Sequence, residues 1–351
     1  MSFASSFRAQ TVGLDIGSSG VKAVALRQTR AGWSLTAAGE LPVHVDRTPE
    51  DGATPVEVAG AVRELLDGLK LSRARVATAL SGHAVIVKRL SLPAMSRAEL
   101  AEAIPWEAEQ YIPFDLADVQ LGYQVVNTST AAAKSTLDVL LVAAKKDRVD
   151  DRAAVIAQAG REAAVLDIEA FALTNAYEMN YPERQDALSA IVHVGRSATI
   201  VCLLEHGELA FTRDISIGGR LYTETLQREL GVDALTAERI QHGHVPGEAN
   251  REQLSAILRD TSSQVILEIR KTVDFYRATA PIEKLSRVVV SGGACEAEGL
   301  MDMLRSEFDA PVELFDPFRR VSRVKGAAGG DVSGPAYAVA VGLAMRKAGD
   351  R

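Results

Sequence analysis

The sequence predicts an α/β protein with two related mixed-sheet lobes and a small inserted α+β subdomain. Three observations support this prediction. A glycine hairpin near the start of the chain returns in its middle, and each hairpin opens a meander of three short strands. Each half also contains a later apolar strand that ends in Ser-Gly. Strands joined directly by turns and then followed by helical patterns are typical of such lobes.

The first hairpin is "LDIGSSGVKAV", residues 14–24. Apolar residues alternate with small or polar ones before the turn, which is the period of a strand with unequal faces. Gly17 and Gly20 predict a tight turn, because glycine lacks a Cβ and lets the backbone bend sharply. The chain then returns directly as a second strand, and no helix separates the two.

The middle of the chain repeats this pattern as "VHVGRSATIV", residues 192–201, with His193 in place of Asp15 and 178 positions between them. The apolar strands of residues 76–82 and 288–293 form a second matched pair, since both end in Ser-Gly. Two independent matches predict an internal duplication.

Helical patterns separate these strands. Apolar residues at helical spacing predict a helix over 54–69, and Lys145–Gly160 is predicted to be another, with glycine at its end. Ser96 followed by Glu99 has the spacing of a capping box and predicts a helix start. Pro105 interrupts that helix and is expected to kink it or to free a backbone carbonyl.

Composition excludes several classes of protein. The 351 residues carry a formal net charge of −7 without a basic tail, which argues against a general nucleic-acid binder. Hydrophobic residues make up 47% and charged residues 24%, as in ordinary soluble domains. No apolar run approaches the roughly 20 residues that span a bilayer. Cys202 and Cys295 lie in apolar strand-like surroundings and are expected to be reduced core residues, which favours a cytoplasmic location.

The glycine hairpins predict an anion site. Backbone N–H groups along a glycine turn can point at phosphate oxygens, with hydroxyls from Ser18 and Ser19 and a positive charge from Lys22. Asp15, at the strand end before the turn, is placed to hold Mg²⁺ through water. The glycines lead into a strand rather than a helix, so this is neither a Walker A loop nor a dinucleotide fingerprint. A plain hairpin turn is the alternative for one copy alone.

The third glycine element, "VVVSGGACEAEGL" (288–300), joins a buried strand to a helix, and its Gly292-Gly293 pair leaves room for a ribose-phosphate beside the backbone. In this order, the two hairpins and the glycine pair resemble the actin-like ATPase superfamily. Residues 334–347 resemble the helix that closes that fold. More narrowly, the chain resembles the type IV pilus assembly protein PilM family, with the division protein FtsA as a relative. The resemblance covers roughly residues 10–347, and the stretches that support it are "GLDIGSSGVKAV", "SGHAVIVKRLSLPAMSRAEL", "EAIPWEAEQYIPFDLADVQLGYQVV", "VLDIEAFAL" and "VVSGGACEAEGL".

The resemblance implies a bilobal actin-like ATPase fold and a set of domain boundaries. The first lobe is expected to comprise 1–84, 162–186 and 334–351, with the inserted subdomain at 85–161. The second lobe is expected to consist of a core at 187–220 and 287–333 and a subdomain at 221–286.

The resemblance also implies that ATP and Mg²⁺ are the cofactors. Asp15 is the expected magnesium residue. Glu238 and Lys271 are expected to reach the ribose and adenine, although solvent-exposed ion pairing is the alternative for both. The full set of expected nucleotide-binding residues is Asp15, Gly17, Ser18, Ser19, Gly20, Lys22, Gly195, Arg196, Ser197, Gly218, Gly219, Glu238, Lys271, Gly292 and Gly293.

By the same resemblance, the protein is a cytoplasmic adaptor of the pilus machinery that serves twitching motility. It is expected to dock the N-terminal cytoplasmic tail of the inner-membrane protein PilN, and thereby to contact PilO indirectly and the motor-platform components. A homo-oligomer is left open. The groove for the tail is expected between the first lobe and the inserted subdomain, lined by Val85, Ile86, Val87, Leu100, Ile104, Trp106 and Tyr111. Packing under the helix is the alternative for Trp106 and Tyr111.

His193 is a departure from the family pattern, which usually has an aspartate there. A neutral imidazole prefers transition metals to Mg²⁺ and does not replace a carboxylate beside magnesium-bound water. We therefore expect nucleotide binding with weak or no hydrolysis and assign no catalytic residue. Three alternatives stay open: His193 faces away from the cleft, the protein is an active ATPase, or it is a sugar or acetate kinase of the same superfamily.

Overall fold

The computed structural model describes residues 11–43, 53–129, 136–182, 188–244, 250–279, 284–329, 332, 334–347 and 349. Within these residues, no helix is both long enough and apolar enough to cross a membrane. The N-terminal residues 1–10, for which the sequence predicts no anchor, lie outside the described part.

Along the described chain, runs of strands joined directly by turns are followed by one or more helices. The strands are β1 (Thr11–Ile16), β2 (Gly20–Thr29), β3 (Gly32–Pro42), β4 (Arg75–Leu80), β5 (Val85–Pro93), β6 (Val119–Ser129), β7 (Thr136–Lys145), β8 (Ala163–Ile168), β9 (Leu188–Val194), β10 (Thr199–Glu205), β11 (Glu208–Ile215), β12 (Arg287–Ser291), β13 (Val312–Leu314) and β14 (Val321–Ala328). The α-helices are α1 (Pro55–Gly68), α2 (Arg97–Glu109), α3 (Lys146–Gln158), α4 (Glu169–Asn180), α5 (Gly219–Leu230), α6 (Ala234–Gln241), α7 (Arg251–Thr279), α8 (Leu300–Glu307) and α9 (Ala338–Ala344).

The two large sheets have matching topology, which confirms the duplication. The first-lobe sheet has the order β14-β3-β2-β1-β4-β8, and the second-lobe sheet has the order β11-β10-β9-β12-β13. In each, an antiparallel meander continues into parallel strands. The hairpins even share one register, because Asp15 pairs with Lys22 and His193 pairs with Ile200, each seven positions later.

The interior consists of apolar layers on both sides of the sheets. Helices α4 and α9 lie between the two sheets, and their side chains share one buried cluster with residues of both. Helices α1 and α3 cover the outer face of the first-lobe sheet. The second-lobe helices α5, α6, α7 and α8 cover the outer face of the second-lobe sheet.

Local sequence signals determine the starts of two helices. Thr54 and Glu57 form a capping box at α1, and Ser96 and Glu99 form another at α2, as the spacing predicts. Each box satisfies two backbone N–H groups that the first helical turn leaves without partners. Pro105 lies inside α2 and does not end it.

The inserted subdomain is a three-stranded antiparallel sheet in the order β5-β7-β6 with α2 packed on one face. Two of the expected boundaries are wrong. Helix α3 does not belong to the insert, because Ile156 packs with α1 in the first-lobe core. Strand β14 does not belong to the second lobe, because it pairs in parallel with β3 at the edge of the first-lobe sheet.

Candidate functional site

The two hairpin turns meet across the cleft between the lobes. The Ser197 hydroxyl donates a hydrogen bond to the Ser18 hydroxyl at 2.9 Å, which joins the turn of one lobe to the turn of the other. Each turn is closed in the same way, since the Gly17 N–H bonds to the Gly20 carbonyl at 3.0 Å and the Gly195 N–H bonds to the Ala198 carbonyl at 2.9 Å. Gly17 and Gly195 both line a cavity of about 280 Å³.

The first-lobe side of the cleft is charged. Asp15 is the next-to-last residue of β1, beside the turn, and is buried, and Lys22 lies opposite it in the ladder. Burial raises the pKa of Asp15, and the charges of Lys22 and Arg152 oppose that rise. Ser18, Ser19 and Lys22 line the cleft as well.

His193 occupies the matching position on the second lobe. It lines the cleft, so the alternative in which it faces away does not describe this structure. Its Nδ1 lies 3.0 Å from the Ser291 hydroxyl. Burial, together with the nearby charge of Lys22, lowers the pKa of His193 to about 4. The imidazole is therefore neutral at pH 7, and the cleft has no carboxylate at this position.

Two of the predicted glycines allow backbone segments next to the cleft to pack closely against one another. A Cβ on Gly218 would collide with the Gly195 carbonyl and lie 2.8 Å from the Arg196 carbonyl. This close approach lets the first N–H groups of α5 donate to both of those carbonyls, at 2.9 and 2.7 Å. Gly292 has a φ of +93° and packs against the Val194 carbonyl, where a side chain has no room. Neither glycine lines the cavity, nor does Gly20, whereas Gly219 and Gly293 do.

The far wall of the cavity comes from Glu238 and Gln241 of α6 and from His242, the residue that follows this helix. Arg196 forms an ion pair with Glu238 at 3.6 Å, and because both side chains are partly exposed it adds little stability. Lys271 is not in the cleft. It lies on α7 and pairs with Glu268 at 2.6 Å, so the exposed-pair alternative is the correct one for this residue.

A further carboxylate of the cleft, Glu169, was not predicted from the sequence. It begins α4, lines the cleft and accepts a hydrogen bond from the Ser81 hydroxyl at 2.9 Å. Burial, then the charges of Asp15 and Asp214, raise the pKa of Glu169 to about 7. An acidic residue directly after the strand of "VLDIEAFAL" was the available signal. Arg152, from α3, also lines the cleft and was missed.

A family model identifies the chain. The model of the type IV pilus assembly protein PilM matches residues 13–348. The chain belongs to the PilM family.

Solved structures agree with that membership. A PilM–PilN type IV pilus biogenesis complex contains a chain that is 26% identical, with a TM-score of 0.81, over 96% of this chain and 98% of that one. The ethanolamine utilization protein EutJ from Carboxydothermus hydrogenoformans is 16% identical, with a TM-score of 0.55, over 95% of this chain and 88% of that one. The PilM-family chain therefore has the predicted bilobal actin-like ATPase fold with its inserted subdomain.

The predicted docking residues of this PilM-family chain do not all lie on one surface. Leu100 and Ile104 are each 2% exposed and belong to the core beneath α2, so their placement in the groove is wrong. Val85 and Val87 pack towards the core between the lobes, whereas Ile86 packs towards α2.

Two aromatic residues do face outward on the subdomain. Trp106 is 73% exposed and Tyr111 is 41% exposed, so packing under the helix does not account for them. The Lys88 ammonium lies 5.8 Å from the centre of the Tyr111 ring. Trp106 and Tyr111 are therefore the predicted docking residues whose side chains remain available to a partner.

Proposed function

We propose that this protein is a nucleotide-binding adaptor of type IV pilus assembly that docks the N-terminal tail of PilN. One observation supports the proposal most strongly: this chain matches a chain of a PilM–PilN complex, with nearly all of both chains covered. Through PilN, the protein would be peripheral to the inner membrane on the cytoplasmic side. From there it would connect to PilO and to the motor platform that drives twitching motility.

The cleft supports nucleotide binding. Backbone N–H groups of both turns, the hydroxyls of Ser18 and Ser197 and the charges of Lys22 and Arg196 surround a single cavity. Donors of this kind hold polyphosphates. The wall formed by α6 then provides Glu238 and Gln241 for the nucleoside, so ATP is the proposed ligand.

Magnesium fits the acidic part of the same cleft. Mg²⁺ takes one or two carboxylates and completes its shell with water and phosphate oxygens. Asp15 and Glu169 are close enough that the charge of Asp15 raises the pKa of Glu169, and a cation between them would relieve that repulsion. These two residues would hold the ion, which would offset phosphate charge when bound.

We propose that ATP hydrolysis is slow. The second hairpin presents a neutral imidazole, held by Ser291, where a carboxylate would orient a water molecule. The groups that bind phosphate are largely backbone and remain in place. Nucleotide binding therefore acts mainly to set the arrangement of the lobes around the cleft.

An active ATPase is the second candidate, and Glu169 is the observation that favours it. A buried carboxylate with a pKa near 7 is suited to accept a proton from water at neutral pH. Steady-state phosphate release separates the two functions. If the protein only binds nucleotide, the nucleotide protects the fold while little phosphate is released, and Glu169→Gln changes the rate of phosphate release little. Turnover that Glu169→Gln abolishes would establish the ATPase, and phosphate transfer to an added sugar would instead indicate a kinase.

The docking proposal is tested with a synthetic peptide that copies the PilN cytoplasmic tail. Calorimetry with the full chain should give a dissociation constant on the order of micromolar or tighter. Trp106→Ala should weaken binding about tenfold or more, since exposed aromatic anchors dominate such surfaces. Leu235→Ala is the matched control, because Leu235 is 69% exposed on α6, away from the subdomain. No binding by the folded wild-type chain would refute the adaptor function.

A further inference from the structure

Arg152 holds a position in the cleft that the proposed function does not use. It belongs to α3, whose register carries its side chain from the outer layer of the first lobe into the cavity between the lobes. There its Nη1 donates to the carbonyl of Ile16, the last residue before the first glycine turn, at 3.4 Å. The guanidinium therefore lies beside the N–H groups that form the phosphate site.

Arg152 has electrostatic partners, but no carboxylate in the described part of the chain contacts it directly. The charges of Glu169 and Asp15 both favour its protonated form and partly offset the cost of its burial. Among the residues that the structure describes, none forms an ion pair with it. Its remaining N–H donors are therefore available to an anion in the cavity.

A guanidinium in this place is chemically suited to a polyphosphate. Its planar fork can bond to two phosphate oxygens at once, and it stays charged at all relevant pH values. Lys22 adds a second cation on the same lobe, and Arg196 adds a third across the cleft. The cavity thus has three basic side chains around one site, while His193 adds no negative charge to it.

We propose that Arg152 is a resident cation that lets the cleft hold a nucleotide polyphosphate without a divalent metal. This inference rests on the proposed nucleotide site and specifies its ligand: the free polyphosphate binds, as well as the magnesium complex. When Mg²⁺ is present, it competes with Arg152 for the charge of Asp15 and Glu169. When it is absent, Arg152 and Lys22 together offset the charge of the carboxylates, and Arg152 binds phosphate oxygens.

The test is equilibrium binding of ATP to the full chain, measured by calorimetry in excess Mg²⁺ and in excess EDTA. We expect the wild-type dissociation constants in the two conditions to agree within about fivefold. Arg152→Gln should bind ATP about tenfold or more weakly than wild type in EDTA, which is the loss of affinity expected for a charge-assisted hydrogen bond. Its loss of affinity in Mg²⁺ should be smaller. Arg148→Gln is the matched control, because Arg148 is exposed on the same helix and should change neither value.

The outcomes separate this inference from the proposed function. Wild-type binding in Mg²⁺ with none in EDTA would overturn the inference and leave the nucleotide site intact. Absence of binding in both conditions would overturn the nucleotide site itself. Equal losses of ATP affinity for Arg152→Gln and Arg148→Gln in EDTA would show that Arg152 is not the cation that supports metal-free binding.

Arg152→Lys provides a second variant in case Arg152→Gln does not fold. It retains the charge without the planar fork, so we expect binding in EDTA to be intermediate between wild type and the glutamine variant. Wild-type binding by Arg152→Gln, or binding by Arg152→Lys tighter than wild type, would contradict the proposed contact. Thermal unfolding of each variant without nucleotide controls for loss of structure.

Discussion

His193 and Glu169 should make opposite contributions to the pH dependence of stability, and one substitution separates them. Burial lowers the pKa of His193 from 6.5 to about 4. As pH falls from 6.5 to 4, the unfolded chain therefore takes up a proton that the folded protein does not, and acid destabilises the fold. Because one pKa unit corresponds to about 1.4 kcal/mol, the full effect is about 3 kcal/mol.

Glu169 has the opposite sign. Its pKa is about 7 in the folded protein, against 4.5 for a free glutamate. As pH falls from 7 to 4.5, the folded protein takes up the proton first, so acid stabilises the fold. The limit is again about 3 kcal/mol, reduced because part of the side chain remains accessible to solvent. Over the shared range, the two contributions largely cancel in the wild-type protein.

His193→Asn removes one contribution and can retain the hydrogen bond to Ser291. Relative to wild type, the variant should gain about 2 to 3 kcal/mol of stability between about pH 7 and about pH 4.5. Glu169→Gln should lose stability relative to wild type as the pH falls over the same range. Urea unfolding without nucleotide measures both, and titrating groups away from the cleft cancel in the difference between variant and wild type. A difference for His193→Asn that stays constant with pH would refute a buried neutral imidazole.

Two further predictions concern the second hairpin and the glycine that packs against its turn. His193→Asp should raise the rate of ATP hydrolysis about tenfold or more, because it restores a carboxylate beside the cleft; an unchanged rate of phosphate release would mean that residue 193 does not act at the phosphates. Gly218→Ala should lower stability by about 1 to 3 kcal/mol, because its Cβ meets the Gly195 and Arg196 carbonyls. Gly293→Ala is the control, since no atom lies within 4 Å of its Cβ position. Equal melting temperatures for the two alanine variants would contradict the close backbone approach.

Much of the fold was predictable from local signals. The glycine spacing of the hairpins determines turn geometry within a few residues, and the two turns do close with the same hydrogen bond. The capping boxes of α1 and α2 are equally local, since the two residues of each lie three apart. Ser18 and Ser197 were also found by spacing, and they now define where the lobes meet.

Other features depended on contacts between distant parts of the chain. The pairing of β14 with β3 joins segments almost 290 residues apart, and nothing in either strand specifies the other. Helical phase could have shown that Leu100 and Ile104 lie on the same face of α2 as the core residue Ala108, and so could not contact a peptide. The sequence therefore already contained the information that separates these two core residues from the exposed Trp106, and the predicted groove did not take it into account.

The sequence by itself determined the duplicated turns, the helix starts and the family, because each depends on residues close together along the chain. The tertiary structure alone decided that Glu169 and Arg152 join Asp15 in the cleft. Glu169 comes from the start of α4, Arg152 from α3 and Asp15 from β1, and only the packing of helices against the first-lobe sheet brings them into one cavity. Burial in that cavity then shifts their pKa values, and burial is a property of the folded chain rather than of any motif.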